Sequence, residues 1–124
     1  RVRYEGFQPP EGLPEYFARS DAFILPSRYD GWGVVVNQAL GAGLPVITSD
    51  AVGAGLDLVE DGVNGLRFPA GDVDRLQECI ERLVASPEIA RKWGEASRRG
   101  ALDLIPEAGA EKWVRVFDSL SSAR

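Results

Sequence analysis

Asp30-Gly31-Trp32-Gly33-Val34-Val35-Val36-Asn37-Gln38-Ala39-Leu40-Gly41-Ala42-Gly43 is the stretch on which the fold turns. Its three consecutive valines are β-branched and poor helix formers, so a strand competes for the same residues. The ending favours a helix, because Ala39-Leu40-Gly41-Ala42-Gly43 closes on glycine directly before the strand pattern Pro45 to Thr48. Upstream, the brief apolar run Ala22 to Leu25 stops at Pro26, as expected of a buried strand. Strand, helix, strand is therefore the predicted order, with the helix beginning near Gly33.

A helix that opens behind glycines exposes backbone amides, and those amides together with the helix dipole favour an anion. Asp30 lies just before the start, and Gln38 about one and a half turns inside it at 3.6 residues per turn. Helical side chains tilt toward the N-terminus, and Gln38 stacks behind Val34, so its amide leans back toward the same end. Asp30 and Gln38 can both touch one ligand, with amides between them. That layout suits an anionic ligand that also carries hydroxyls.

Working outward, Val2 to Phe7 suits a strand, and Leu13, Tyr16 and Phe17 give a short helix one apolar face. Glu60-Asp61-Gly62-Val63-Asn64-Gly65 is dense in turn formers, and Leu66-Arg67-Phe68 adds a short strand. Asp72 is a candidate N-cap for a helix to about Val84. Ser86-Pro87 opens another helix with Ile89, Trp93 and Ala96 on one side, and Pro106 breaks it. A last helix, Glu107 to Leu120, carries Trp113, Val116, Phe117 and Leu120 at helical spacing. The expectation is an α/β fold, a Rossmann-like parallel sheet of about four short strands flanked by helices. Such sheets bind ligands beyond the carboxyl ends of their strands. The loops there are Pro26 to Gly33 and Ser49 to Gly55, predicted to be neighbours forming one wall of a crevice.

The 124 residues make one domain at most, and 44% apolar with 27% charged residues is a globular composition. A net charge of −5 with scattered basic residues argues against a nucleic-acid module, which needs a basic face. No apolar run approaches a membrane span. There is no His, so any acid or base the chain supplies is a carboxylate. The lone Cys79 falls in the helical series Leu76, Cys79, Ile80, Leu83 and reads as a core residue. The chain contains no Met, not even at position 1, and is read as a piece of a longer one.

Taken in order, Pro26-Ser27, Asp30-Gly31-Trp32-Gly33, Gln38-Ala39-Leu40 and Gly43-Leu44-Pro45-Val46-Ile47 resemble the group 1 (family 4) retaining glycosyltransferases with the GT-B fold. That family carries a pair of glutamates in a Pro-Ser, Glu-Gly-Phe-Gly, Glu-Ala pattern. The run Leu58 to Gly65 and Phe68-Pro69 also match, so the resemblance spans residues 2 to about 85. It implies that the whole chain, residues 1–124, is the second half of a C-terminal nucleotide-sugar-binding domain. The acceptor-binding N-terminal domain and an Arg and a Lys that meet the diphosphate would lie outside it. By position, Asp30 takes the place of the first glutamate, which contacts hydroxyls of the donor sugar. Gly31, Trp32 and Gly33 offer amides to the sugar, and Val34 and Val35 to the diphosphate. Gln38 replaces the glutamate that holds the ribose. Ser27 and Arg28 are further candidates, the first as a turn cap or a ligand contact, the second as a cation for the diphosphate.

The implied partner is a nucleotide diphosphate sugar, with no cofactor and no metal. The parent would be cytoplasmic, with peripheral association at the inner face of a membrane left open. The final helix would cross toward the missing domain, leaving Trp113 and Phe117 unusually exposed. Asp30 keeps the charge of its counterpart and Gln38 loses it, so an alternative is a non-catalytic nucleotide-sugar-binding or regulatory module of the same fold. Asp72-Val73-Asp74 spells the string of metal-dependent glycosyltransferases but opens a helix, where acids cap and oppose the dipole. Gly53-Ala54-Gly55 lacks the third glycine of a dinucleotide fingerprint and reads as a loop. Asp57, Glu60 and Asp61 read as a solvated turn. A phospho-receiver-like reading with Asp50 after a strand fails for want of a lysine beyond a later strand.

Overall fold

The computed structural model describes residues 1–122. A 3-10 turn at Pro10–Gly12 leads into α1 (Leu13–Ala18), followed by β1 (Phe23–Leu25), α2 (Val34–Gly41) and β2 (Val46–Ser49). Then come α3 (Gly53–Leu58), β3 (Gly65–Phe68), α4 (Val73–Val84), α5 (Pro87–Ala101), a second 3-10 turn at Leu102–Leu104 and α6 (Pro106–Ser122). The three strands form one parallel sheet in the order β1-β2-β3. Phe23 is in register with Val46, and Ile47 with Leu66.

β2 is central, and all four of its residues are buried. Successive side chains on a strand point to opposite faces, which is why Val46 and Ile47 belong to different halves of the core. Val46 packs with Val36, Ala39 and Leu40 of α2 and Ala54 of α3. Ile47 packs with Leu66 and Phe68 of β3, Cys79 and Leu83 of α4, and Trp93 of α5. Helices therefore cover both faces, as a parallel sheet requires. The predicted helix starts hold, with Asp72 Oδ1 accepting from the Arg75 amide at 2.9 Å and Ser86 Oγ from that of Ile89 at 3.4 Å. Cys79 is buried.

Two expectations are corrected. Val2 to Phe7 is not a strand, so the sheet has three strands rather than about four. A strand exists only through its ladder, and no described strand lies beside this segment. Val2, Tyr4 and Phe7 are at least 90% exposed, and Gly6 turns to φ 68° while Gln8 Nε2 donates to the Glu5 carbonyl. The loop Ser49 to Gly55 is instead a short connection into α3, which starts at Gly53. Its two glycines serve close packing: a Cβ on Gly53 would collide with the Gly31 carbonyl, and one on Gly55 with Thr48.

Candidate functional site

The loops after β1 and β2 are neighbours, as their strand ends predict. Asp30 forms an isolated parallel bridge with Val52. The Asp30 amide donates to the Ala51 carbonyl at 2.9 Å, and the Gly53 amide to the Asp30 carbonyl at 3.2 Å. The Ala54 amide donates to the Trp32 carbonyl at 2.7 Å. Deeper in, fully buried Ser49 donates its hydroxyl to the Ser27 carbonyl at 2.5 Å. Residues 27 to 32 are thus strapped along their length to the end of β2 and the start of α3.

Within the strap, Asp30 is half-buried and its Oδ1 accepts from the Trp32 amide at 3.2 Å, an Asx turn that bends the chain toward α2. Gly33 completes the bend at φ 85° and ψ 60°, in the left-handed region that glycine enters without a Cβ penalty. A Cβ there would stand 2.8 Å from Val52 Cγ1 and 3.5 Å from Asp30 Oδ2, so the position is closed sterically as well. α2 then begins with no side-chain cap. Among the described residues nothing accepts from the amides of Gly33, Val34 or Val35; the first amide engaged is that of Val36, on the Gly33 carbonyl at 2.9 Å. Uncapped first-turn amides next to a carboxylate are a pre-formed place for an anion bearing hydroxyls.

Asp30 through Val35 are therefore brought together as one continuous wall. Gln38 lies one turn beyond Val34, roughly 6 Å along the axis at 1.5 Å per residue. It is exposed and faces a cleft of about 770 Å³ shared with Leu13, Phe17, Leu44 and Arg98. Another cleft, of about 830 Å³, is lined by Asp21, Leu83, Arg91 and Glu95. Asp30 to Val35 line neither, and they form an open wall. Arg28 is exposed and Ser27 half-buried, the latter engaged through its carbonyl. Asp50 Oδ1 accepts from the Ala70 amide at 2.8 Å, which makes it a loop brace. Asp57, Glu60 and Asp61 are exposed, and Asp61 holds the Arg67 amide at 2.6 Å.

Asn37 is a residue the sequence reading missed. Its Oδ1 accepts from Trp32 Nε1 at 3.1 Å, tying the loop to the helix it precedes. The signal available was a donor-only indole five residues before an amide.

The sequence model described as "Glycosyl transferases group 1" matches residues 1–100. The chain belongs to the group 1 glycosyltransferases. Among relatives of this group 1 chain, an exopolysaccharide phosphotransferase of Streptomyces coelicolor is 31% identical over 118 residues, 94% of this chain and 12% of that protein. The structure of a sucrose-phosphate synthase from Thermosynechococcus elongatus superposes with a TM-score of 0.82 at 32% identity, covering all of this chain and 31% of that one. HepE from Anabaena, solved in complex with UDP-glucose, gives a TM-score of 0.79 at 25% identity over 98% of this chain and 32% of that one. The group 1 chain thus spans about a third or less of the length of these proteins.

Proposed function

We propose that this chain is the donor-binding part of a retaining glycosyltransferase that moves a sugar from a nucleotide diphosphate sugar to an acceptor of the glycan, lipid or polysaccharide-precursor class. The observation that carries the reading is the uncapped start of α2 behind the strapped Asp30–Gly33 turn. Asp30 accepts from sugar hydroxyls through the carboxylate oxygen that the Trp32 amide leaves free. The amides of Gly31 and Gly33 meet the sugar, and those of Val34 and Val35 the diphosphate, whereas the Trp32 amide expected to join them is held by Asp30 Oδ1. Gln38 accepts from the ribose.

As the glycosidic bond to the diphosphate breaks, negative charge grows on the departing oxygen. Fixed N–H dipoles next to that oxygen stabilise it more in the transition state than in the ground state, and they need no reorganisation to do so. The charge is handled by backbone, so this wall calls for no metal. Membership of the group 1 glycosyltransferases and the UDP-glucose complex of HepE support the nucleotide-sugar class.

The test is isothermal titration of the full-length protein with UDP, GDP, UDP-glucose and GDP-mannose, with and without EDTA. Micromolar to millimolar binding of a nucleotide sugar that EDTA leaves unchanged is expected, and no binding of any of the four would refute the reading. The alternative of a non-catalytic nucleotide-sugar-binding module is favoured by one observation, the absence of a carboxylate at Gln38. Binding without any hydrolysis or transfer across a panel of acceptors selects it.

A further inference from the structure

We propose that Asn37 is a positioning residue for donor binding, acting through Trp32. The inference rests on the donor reading above and assigns a role to a residue that reading does not use.

Trp32 stands between Gly31 and Gly33, the two residues with the least backbone restriction in the loop. Its backbone is pinned at both ends, its amide on Asp30 Oδ1 and its carbonyl by the Ala54 amide. The ring is not pinned by burial, because the residue is 41% exposed. The polar contact that holds it is the hydrogen bond from Nε1 to Asn37 Oδ1 at 3.1 Å.

An indole N–H only donates, so the Asn37 amide must present its oxygen to Trp32 and turn its NH₂ away. Asn37 is four residues past Gly33 and therefore on the same face of α2, one turn in. The bond spans the first turn of the helix and ties the Trp32 ring, the exposed part of a loop whose backbone is already strapped, to α2. Asn is also a poorer helix former than Leu, so position 37 is occupied at some cost to α2 by a side chain that is used. A loop whose aromatic member is fixed before the ligand arrives has less ordering left to do on binding.

The experiment is a double-mutant cycle on the full-length protein, read by titration with UDP, GDP, UDP-glucose and GDP-mannose. N37L removes the acceptor and installs a better helix former, which protects the fold; W32F removes the donor. One ordered hydrogen bond corresponds to roughly a fivefold loss in nucleotide-sugar affinity for N37L. The nucleoside diphosphate alone, which does not reach the sugar loop, should change by less than about twofold. Adding N37L to W32F should likewise change nothing beyond about twofold. In an ¹⁵N-¹H spectrum the Trp32 indole resonance should move in N37L while those of Trp93 and Trp113 stay.

Equal losses for diphosphate and nucleotide sugar, an equal loss in the W32F background, or an unchanged affinity in N37L each overturn the positioning role. If the unsubstituted protein binds none of the four probes, the donor reading falls first and the role of Asn37 with it.

Discussion

Replacing Gly33 by alanine tests the wall where its geometry is tightest. The residue sits at φ 85°, and an L side chain there costs about 1–2 kcal/mol. The new Cβ would also stand 2.8 Å from Cγ1 of Val52, a side chain with no exposed surface and, being β-branched, stiff at χ1. Overpacking of that kind costs about 1–3 kcal/mol, so the sum is roughly 2–5 kcal/mol. At a urea slope of about 2 kcal/mol per M, the midpoint should fall by roughly 1–2.5 M. Gly31→Ala is the internal control, because its φ is not positive and its Cβ would meet only the Tyr29 hydroxyl, 4.0 Å away. It should stay within about 0.5 kcal/mol, as ordinary surface substitutions do. The assay is equilibrium urea unfolding of both variants followed by tryptophan fluorescence. Equal midpoints for the two variants would refute the account of Gly33 as a position closed both conformationally and sterically.

Three further predictions follow from single contacts. Gln38→Glu, which gives a carboxylate able to accept from two ribose hydroxyls, should preserve or tighten nucleotide-sugar binding by the full-length protein, by about 1 kcal/mol; a markedly weaker titration would count against the ribose role. Asp72→Ala removes the cap on the Arg75 amide and should lower stability by about 1 kcal/mol in a thermal melt, whereas Asp72→Asn, which keeps an acceptor, should not. Burial raises the Cys79 pKa; Arg75 pulls it down and Asp61 pushes it up, with smaller effects from Glu78 and Arg82. The native thiol therefore keeps its proton in a pH range where the unfolded one has lost it, so this residue's contribution to stability is present at neutral pH and declines as pH rises through that range. Labelling by an aromatic disulfide should be far slower in the folded chain than in urea, and comparable rates would contradict the burial.

Alternation, turn chemistry and capping made the middle of the fold legible from residues alone. Pro26, Gly43 and Asp72 each end or begin an element for a local reason, and the elements start within a residue or two of where those reasons put them. The misreadings share a different cause. Val2 to Phe7 has the composition of a strand, but pairing is a property of what lies alongside, and nothing described does. Gly53-Ala54-Gly55 looks like a loop because glycine weakens helices, yet glycine is there because the Gly31 carbonyl and Thr48 leave no room for a Cβ. The exposure expected of Trp113 and Phe117 is present: they stack at 5.8 Å between centroids on α6, and each is at least 60% exposed.

The same distinction applies within the wall itself. What it offers an anion is carried by amides whose directions are set by Gly33, by the Asp30 turn and by the strap to Ala51, Gly53 and Ala54. The side chains of Val34 and Val35 do not enter into it, since any residue that continues α2 presents the same N–H groups. Side-chain identity matters where a side chain reaches past the backbone, at Asp30, Trp32, Asn37 and Gln38. Of these, Asp30 is bound into the turn through Oδ1, and Trp32 and Asn37 constrain each other, so changing one disturbs the wall. Gln38 is exposed on the next turn and takes no part in the strap. On the proposed donor reading it is therefore the position at which affinity can be altered without moving an amide, since neither an acid nor an amide at 38 enters the strap that sets the amide directions.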